Sequence, residues 1–197
     1  NKNIAVNGYS CYICVVVTTQ KMHGCKPMSE IYNKFARQKV VRRTQILDYF
    51  EADHHKTNAA LRWLTESGKA QRIKYGLYYF KQPDEWHNGE VIVSPWLVAA
   101  NAVKDSVIAY HSALKLLGYA YSETSEIQIT VNFDYNRVPK SFKYQGVTYK
   151  YFRSDLTFGL TGQSISEQKI KTFNKERLVM EGLMHPDKFY GLPEYLK

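Results

Sequence analysis

Apolar positions between residues 29 and 81 recur first at helical and then at strand spacing. Three segments carry apolar residues every three or four positions, which predicts three short amphipathic helices: Ile31 to Phe35, Ile46 to Phe50 and Ala59 to Leu64. Thr44 and Asp53 precede the second and third segments, where a side-chain oxygen can cap the first turn. Gly68 stands where a glycine commonly ends a helix in the left-handed conformation.

A short hairpin follows the third helix. The stretches Lys69 to Lys74 and Leu77 to Phe80 predict two strands, and Tyr75-Gly76 between them can supply the positive φ of a tight turn. Three helices and a two-stranded hairpin are the plan of a winged helix-turn-helix, whose third helix enters the major groove of DNA. We therefore predict such a domain over residues 29–81.

The second half of the chain predicts a small mixed α/β domain over residues 91–197. Its expected elements, in order, are a helix within 91–104, an extended piece at Val107-Ile108, a helix from Tyr110 to Leu117, strands from Glu126 to Phe133, Val147 to Phe152 and Ile165 to Phe173, and a helix from Glu176 to Leu183. Residues 82–90 are polar and rich in helix breakers, so we expect a linker. Residues 1–28 show no helical periodicity and form an atypical N-terminal tail. The predicted fold class is α+β.

The net charge and its distribution along the chain indicate the kind of partner. The formal net charge of +9 favours an anionic partner, of which nucleic acid is the commonest. It is concentrated between Lys34 and Lys81, where eleven Lys/Arg stand against four Asp/Glu, a local net charge of +7. The three cysteines all precede residue 26, which argues against a disulfide framework, and no apolar run approaches the roughly 18 residues that span a membrane. We expect a cytoplasmic protein that does not contact membranes.

Polar and basic residues lie where a winged helix would meet DNA. Five residues at the start of the third helix can bond base edges: His54, His55, Lys56, Thr57 and Asn58. Arg62 follows one turn later and suits a phosphate. The hairpin supplies three residues that can follow the backbone or the minor groove: Arg72, Lys74 and Tyr75. Three more at the start of the second helix can hold a flanking phosphate: Arg42, Arg43 and Thr44.

Two further groups contain residue types found in metal or catalytic sites. Four N-terminal residues are zinc-ligand types, but the spacing of the second pair is not usual for zinc: Cys11, Cys14, His23 and Cys25. His111, Ser112 and Asp134 contain the residue types of a hydrolase triad, but adjacent helical residues point apart. We therefore expect no catalytic residue, no metal site and no cofactor.

Two alternatives to a DNA-binding regulator stay open. Asp134 or Asp155 with Glu167 and Lys169 resembles the carboxylate–lysine pattern of metal-dependent nucleases, although alternating polar residues on a strand explain it more simply. A winged helix can also bind a partner protein instead of DNA. Metal-dependent DNA cleavage that disappears in Glu167→Ala would indicate the nuclease.

Three segments resemble the AbiEi-type antitoxins of type IV, abortive-infection toxin–antitoxin systems. Residues 108–119, IAYHSALKLLGY, resemble that family's S-H-x-S-A-L-x-L-H-G-L helix. Residues 176–181, ERLVME, resemble its E-R-T-L-L-D helix, and residues 72–78, RIKYGLY, its R-x-x-R-G-x-Y hairpin. The likeness extends over roughly residues 29–192 in order and spacing, with departures at Leu117, Leu178 and Glu181.

The resemblance implies a non-enzymatic regulator. Its N-terminal domain would bind operator DNA, expected to be an inverted repeat because helix-turn-helix proteins commonly read paired half-sites, and would repress its own operon. Its C-terminal domain would act as antitoxin against a co-encoded nucleotidyltransferase toxin without forming a stable complex with it. Ser112, Glu176 and Arg177 are markers of that second domain.

Overall fold

The computed structural model describes residues 28–120, 122, 124–133 and 139–190, so the predicted tail lies outside it apart from residue 28. Its α-helices are α1 Met28–Phe35, α2 Arg43–Tyr49, α3 His54–Glu66, α4 Pro95–Asn101, α5 Tyr110–Leu116 and α6 Lys175–Met184. Its strands are β1 Val40–Arg42, β2 Ala70–Lys74, β3 Leu77–Phe80, β4 Val107–Ile108, β5 Glu126–Val131, β6 Ser141–Tyr144, β7 Val147–Arg153, β8 Leu160–Ile165 and β9 Gln168–Phe173. Short 3-10 turns occupy Ala36–Gln38, Pro83–Glu85 and Pro186–Phe189. This mixture confirms the predicted α+β class.

A three-stranded antiparallel sheet lies against α1, α2 and α3. Its strand order is β1-β3-β2, with Val40 opposite Tyr79 and Ala70 opposite Phe80. The strand β1 was not predicted, because three residues are too few to show an alternating pattern. The sequence therefore predicts a two-stranded hairpin, whereas the structure has a three-stranded sheet.

The starts of α2 and α3 differ in how they are capped. The Asp53 carboxylate accepts a hydrogen bond from the Lys56 main-chain N–H at 2.9 Å, so Asp53 caps α3 as predicted. The prediction that Thr44 caps α2 is wrong, because the residue before the first turn is Arg42 and Thr44 lies inside the helix. The chain passes directly from β1 into α2, and the Gln45 side chain accepts the Arg42 main-chain N–H at 2.8 Å.

Every residue of β3 is buried, because both faces of the small sheet are covered. Tyr78 and Phe80 pack with Ile31, Ile46 and Leu64 in the core formed with the helices. Leu77 and Tyr79, on the other face, belong to the core of the second half of the chain. The two halves are therefore joined by a shared hydrophobic core.

The second half is built on a six-stranded mixed sheet. Its order is β6-β7-β5-β4-β9-β8, with β5 parallel to β7, β4 parallel to β9 and the other neighbours antiparallel. The helix α5 packs on the face that carries Gln128, whose main-chain N–H donates to the Ser112 hydroxyl at 2.9 Å. On the opposite face, the Tyr144 and Tyr151 hydroxyls accept hydrogen bonds from residues of β2.

The segment 82–90 folds back on the first half of the chain. The Lys81 ammonium donates to the carbonyl oxygens of Asn88 and Gly89 at 2.7 and 2.6 Å. The Trp86 ring stands edge-on to the Tyr32 ring, with centroids 5.2 Å apart. The expected linker is thus held by specific contacts along its length.

The predicted strand from Ile165 to Phe173 begins too early, because β9 starts at Gln168 and Ile165 is the last residue of the preceding strand β8. Ser166 and Glu167 have φ values of 48° and 67°, which reverse the chain between β8 and β9. Neither residue is a glycine or asparagine, the residues that adopt positive φ most readily, so the sequence gives only a weak signal for this turn. No helix among residues 28–120, 122, 124–133 and 139–190 combines the length and apolar character needed to cross a membrane.

Candidate nucleic-acid interface

The first half of α3 presents polar side chains to solvent. His54, His55, Lys56 and Asn58 are all exposed. The hydrogen bond from the Lys56 main-chain N–H lowers the pKa of the Asp53 carboxyl below its ordinary value, and the Lys56 ammonium lies 3.4 Å from that carboxylate. The start of α3 therefore offers donors and acceptors on an exposed, well-capped helical turn.

Arg43 connects three elements at this surface. Its guanidinium lies 3.1 Å from Asn58 Oδ1, to which it donates, and 3.2 Å from His54 Nδ1. Its main-chain N–H donates to the Gly76 carbonyl oxygen at 2.8 Å. The start of α2, the first half of α3 and the turn of the β2–β3 hairpin therefore meet at Arg43.

The tip of the β2–β3 hairpin is exposed at Tyr75. Tyr75 is 79% exposed, and Gly76 has φ +80°, the conformation that the turn requires. The exposed Arg72 guanidinium lies 5.7 Å from the Tyr75 ring centroid. An arginine beside an aromatic ring at an exposed tip can reach a phosphate or the floor of a minor groove.

Nine predicted site residues are accessible, and we call them the α2–α3–hairpin surface. Arg43 is half-buried and the other eight are exposed: Thr44, His54, His55, Lys56, Asn58, Arg62, Arg72 and Tyr75. His54, Asn58 and Arg62 are spaced four residues apart and follow one side of α3.

Thr57 was wrongly predicted to contact DNA. Its side chain is fully buried, and its hydroxyl donates to the Asp53 carbonyl oxygen at 2.7 Å. Thr57 lies three residues before Ala60 and four before Leu61, on the buried side of α3. The helical period thus turns this residue inward between exposed neighbours.

Replacing Thr57 by valine should lower the free energy of unfolding by about 1 kcal/mol, because the hydroxyl hydrogen bond is lost while the shape is kept. The DNA affinity of the folded protein should stay unchanged. Asn58→Ala is the matched variant, and it should weaken DNA binding without a comparable loss of stability. Urea unfolding and duplex titration measure the two effects, and weaker DNA binding by folded Thr57→Val would contradict the assignment.

Lys74 was also wrongly predicted to be available for DNA. Its ammonium donates to the Tyr151 hydroxyl at 2.7 Å and lies 4.2 Å from the Phe142 ring centroid. Burial lowers the pKa of Lys74 to about 8. Lys74 therefore fastens the hairpin to the six-stranded sheet.

The pKa of Lys74 predicts a pH dependence of stability. Between about 8 and the ordinary lysine value near 10.5, the unfolded chain binds more protons than the folded chain, so stability contributed at this site should rise with pH. The free energy of unfolding of wild type minus that of Lys74→Met should increase from pH 8 to 10, by at most about 1.4 kcal/mol per pH unit. Urea titrations at several pH values measure it. Raised tyrosine pKa values affect both proteins alike, and a pH-independent difference would refute the effect.

Arg42 is turned towards the second half of the chain, which corrects its predicted role as a phosphate ligand. It is half-buried, and its guanidinium donates to the Val103 carbonyl oxygen at 3.4 Å. The same region holds a cleft of about 420 Å³ whose lining includes Thr44, Tyr75 and Lys104. Lys104 was not predicted to lie at this edge, because the local sequence pattern carries no signal for a contact between distant segments.

The three family markers have different surroundings. Ser112 is buried and accepts the Gln128 main-chain N–H, as described above. Arg177 is 2% exposed and donates to the Phe158 carbonyl oxygen and the Ser154 hydroxyl, each at 2.7 Å. Glu176 is exposed on the first turn of α6. The contacts of Ser112 and Arg177 stabilise the second half of the chain.

The other candidate sites fall partly or wholly outside the described residues. All four zinc-type residues lie there, as does Asp134 of the triad and nuclease patterns. The Asp155 carboxylate accepts hydrogen bonds from the Thr157 main-chain N–H and hydroxyl, both at 2.9 Å, and Glu167 lies in the β8–β9 turn. Within the part of the chain that the structure describes, no three His, Cys, Asp or Glu residues are grouped so as to hold a metal ion.

Comparison with known proteins identifies structural similarity to a solved protein. No protein-family model and no curated protein matches the chain. The crystal structure of the RV2827C protein from Mycobacterium tuberculosis is similar at 19% sequence identity with a TM-score of 0.48. The match covers 82% of this chain and 61% of that one, so this chain spans less than two thirds of its neighbour's length.

Proposed function

We propose that the protein is a DNA-binding autorepressor and the antitoxin of an AbiEi-type system, with residues 29–81 forming a winged helix-turn-helix. The element order α1-β1-α2-α3-β2-β3 and the four residues between α2 and α3 agree with that plan. The proposed DNA contacts are those of the α2–α3–hairpin surface. The proposed ligand is double-stranded operator DNA with an inverted repeat, which the protein would bind in the cytoplasm.

The DNA-binding proposal rests mainly on the position of Arg43. It bonds Asn58 and His54 on α3 through its side chain and Gly76 of the hairpin through its main chain. A groove-reading helix and a backbone-following hairpin are thereby held in one relative position. A fixed spacing between base contacts and phosphate contacts is what sequence-specific binding requires.

Equilibrium binding to a duplex from the protein's own promoter, at about 0.15 M salt, tests this proposal. We expect the promoter duplex to bind about 1,000-fold or more tightly than a scrambled duplex of equal length and composition. Equal affinities would refute the regulator. A lack of binding to both duplexes would favour the protein-interaction alternative.

The antitoxin part of the proposal rests on the resemblance of residues 108–119 and 176–181, which fall on α5 and α6, two helices packed against each other. Co-expression with a nucleotidyltransferase toxin encoded by the neighbouring gene should restore growth. A DNA-binding-deficient Arg43→Glu, Arg72→Glu variant should restore it equally, since the two activities are assigned to different halves. Failure of both proteins to restore growth would refute the antitoxin and leave the regulator standing.

A further inference from the structure

Arg43 holds two side chains of α3 through one terminal nitrogen. Its Nη2 atom lies 3.1 Å from Asn58 Oδ1 and 3.2 Å from His54 Nδ1. A guanidinium has hydrogen-bond donors and no acceptor, and Nη2 carries two protons. Asn58 Oδ1 and His54 Nδ1 must therefore both accept, and together they use both protons of Nη2.

These two acceptor roles determine which groups His54 and Asn58 can offer to a ligand. Because Nδ1 accepts, the proton of the neutral His54 ring is on Nε2. Because Asn58 Oδ1 is bound by Arg43, its amide offers the N–H donors of Nδ2. Both side chains are exposed, and among the residues that the structure describes none accepts a hydrogen bond from either nitrogen. We call the N–H groups of His54 Nε2 and Asn58 Nδ2 the α3 donor pair.

The charges around the α3 donor pair also favour an acceptor. The Arg43 guanidinium is a cation in contact with both side chains. Asp53, the acidic residue that precedes His54, is engaged by Lys56, whose main-chain N–H and ammonium lie 2.9 and 3.4 Å from its carboxylate oxygens. A ligand atom at the donor pair therefore meets N–H groups and positive charge, which stabilise a lone pair and oppose an amino group.

We propose that the α3 donor pair binds guanine in the major groove, and that Arg43 determines this specificity. The proposal rests on the proposed function, in which α3 enters that groove. Guanine presents the acceptors N7 and O6 and no donor. Cytosine presents an amino group, adenine an acceptor beside an amino group, and thymine one acceptor beside a methyl group. Guanine is thus the base whose edge best matches a set of donors.

Adenine is the base that an unrestrained asparagine commonly binds, and Arg43 opposes that contact. An asparagine binds adenine in a bidentate way, with its oxygen accepting from N6 and its nitrogen donating to N7. In this protein Asn58 Oδ1 already accepts from Arg43, so an adenine amino group there would meet the guanidinium protons. Arg43 therefore makes a residue type suited to adenine favour guanine. Its Nη1 atom is not part of this contact and can still bond a phosphate.

Selection of binding sites from a randomised duplex pool, followed by replacement of each selected guanine, tests the proposal. Replacing the guanine bound by α3 with adenine should weaken wild-type binding by about 10- to 100-fold. Replacement by 7-deazaguanine, which lacks the N7 acceptor, should also weaken binding. Inosine keeps N7 and O6 and lacks only the minor-groove amino group, so it should bind nearly as well as guanine. A selected site in which no guanine shows this pattern would overturn the proposal.

Arg43→Met separates base recognition from phosphate binding. The variant frees Asn58 Oδ1, so the ratio of guanine-duplex to adenine-duplex affinity should fall by about 10-fold or more. Loss of a phosphate contact alone would weaken binding to both duplexes equally. That equal loss is expected for the matched control Arg72→Met, on the hairpin. An unchanged ratio in Arg43→Met would overturn the proposal and leave the proposed function standing, whereas a wild type that selects no sequence from the pool would refute the regulator itself.

Nitrogen-15 NMR of the protein without DNA tests the Arg43 contact separately from the proposed function. At mildly alkaline pH, wild type should show His54 protonated at Nε2 and unprotonated at Nδ1, as the contact with Arg43 requires. Arg43→Met should show a mixture of both tautomers. His54 protonated at Nδ1 in wild type, or a tautomer ratio that Arg43→Met leaves unchanged, would overturn the proposal.

Discussion

Replacing Arg177 by methionine should lower the free energy of unfolding by about 3–5 kcal/mol. Arg177 is 2% exposed, and its guanidinium lies 3.4 Å from Glu181 Oε1 and 3.9 Å from the Phe173 ring centroid. It also supplies the hydrogen bonds to the Phe158 carbonyl and the Ser154 hydroxyl. Without the cation, the buried Glu181 carboxylate loses its partner, and an unpaired buried charge is more costly than the intact pair is stabilising.

Urea unfolding followed by circular dichroism measures this loss. Glu176→Gln changes a charge on the same helix at an exposed position, and it should alter stability by less than about 0.5 kcal/mol. A double variant, Arg177→Met with Glu181→Leu, should recover much of the loss, because no unpaired carboxylate remains. A loss below about 1 kcal/mol in Arg177→Met would show that the pair does not support the second half of the chain.

Reversing the charge at Arg43 and Arg72 together should weaken promoter binding by about 100-fold or more at 0.15 M salt. Both guanidiniums lie on the α2–α3–hairpin surface, Arg43 at the junction of three elements and Arg72 at the hairpin. The reversal removes two attractive contacts with phosphates and adds two repulsive ones. Titration of labelled promoter duplex measures the loss of affinity.

Milder variants and a matched control test the origin of that loss. Arg43→Gln with Arg72→Gln should reduce the slope of log affinity against log salt by about 2, one unit for each lost phosphate contact. Lys169→Glu reverses an exposed charge on β9 of the six-stranded sheet and should leave both affinity and slope nearly unchanged. Equal losses from Lys169→Glu and from the Arg43, Arg72 reversal would mean that net charge, not this surface, controls binding.

The sequence predicts the helices of the first half well, because their apolar periodicity is local. The capping of α3 by Asp53 and the turn at Gly76 were likewise predicted from the sequence, since each depends on a few adjacent residues. The short strand β1 was not predicted because three residues are too few to show alternation, and the turn at Ser166 and Glu167 was not predicted because it contains neither glycine nor asparagine. Elements defined by pairing rather than by local pattern therefore escaped prediction.

The DNA-contact residues were predicted less accurately than the secondary-structure elements. Thr57 was misjudged although the helical period itself turns it inward. Lys74 and Arg42 were misjudged for a different reason, since their partners Tyr151 and Val103 are distant in sequence. The bridging position of Arg43 also depends on tertiary structure, because it requires β1 to end beside the hairpin turn.

Photo-crosslinking from α3 tests whether this helix contacts the bases of promoter DNA. A photoreactive amino acid in place of His55, an exposed residue in the first turn of α3, should form an adduct with promoter duplex bases. The same amino acid at position 169 should form none, because Lys169 lies on the six-stranded sheet. We expect crosslinks from position 55 that unlabelled promoter duplex suppresses and scrambled duplex does not. Promoter binding with no crosslink from position 55, or with equal crosslinking from position 169, would contradict it.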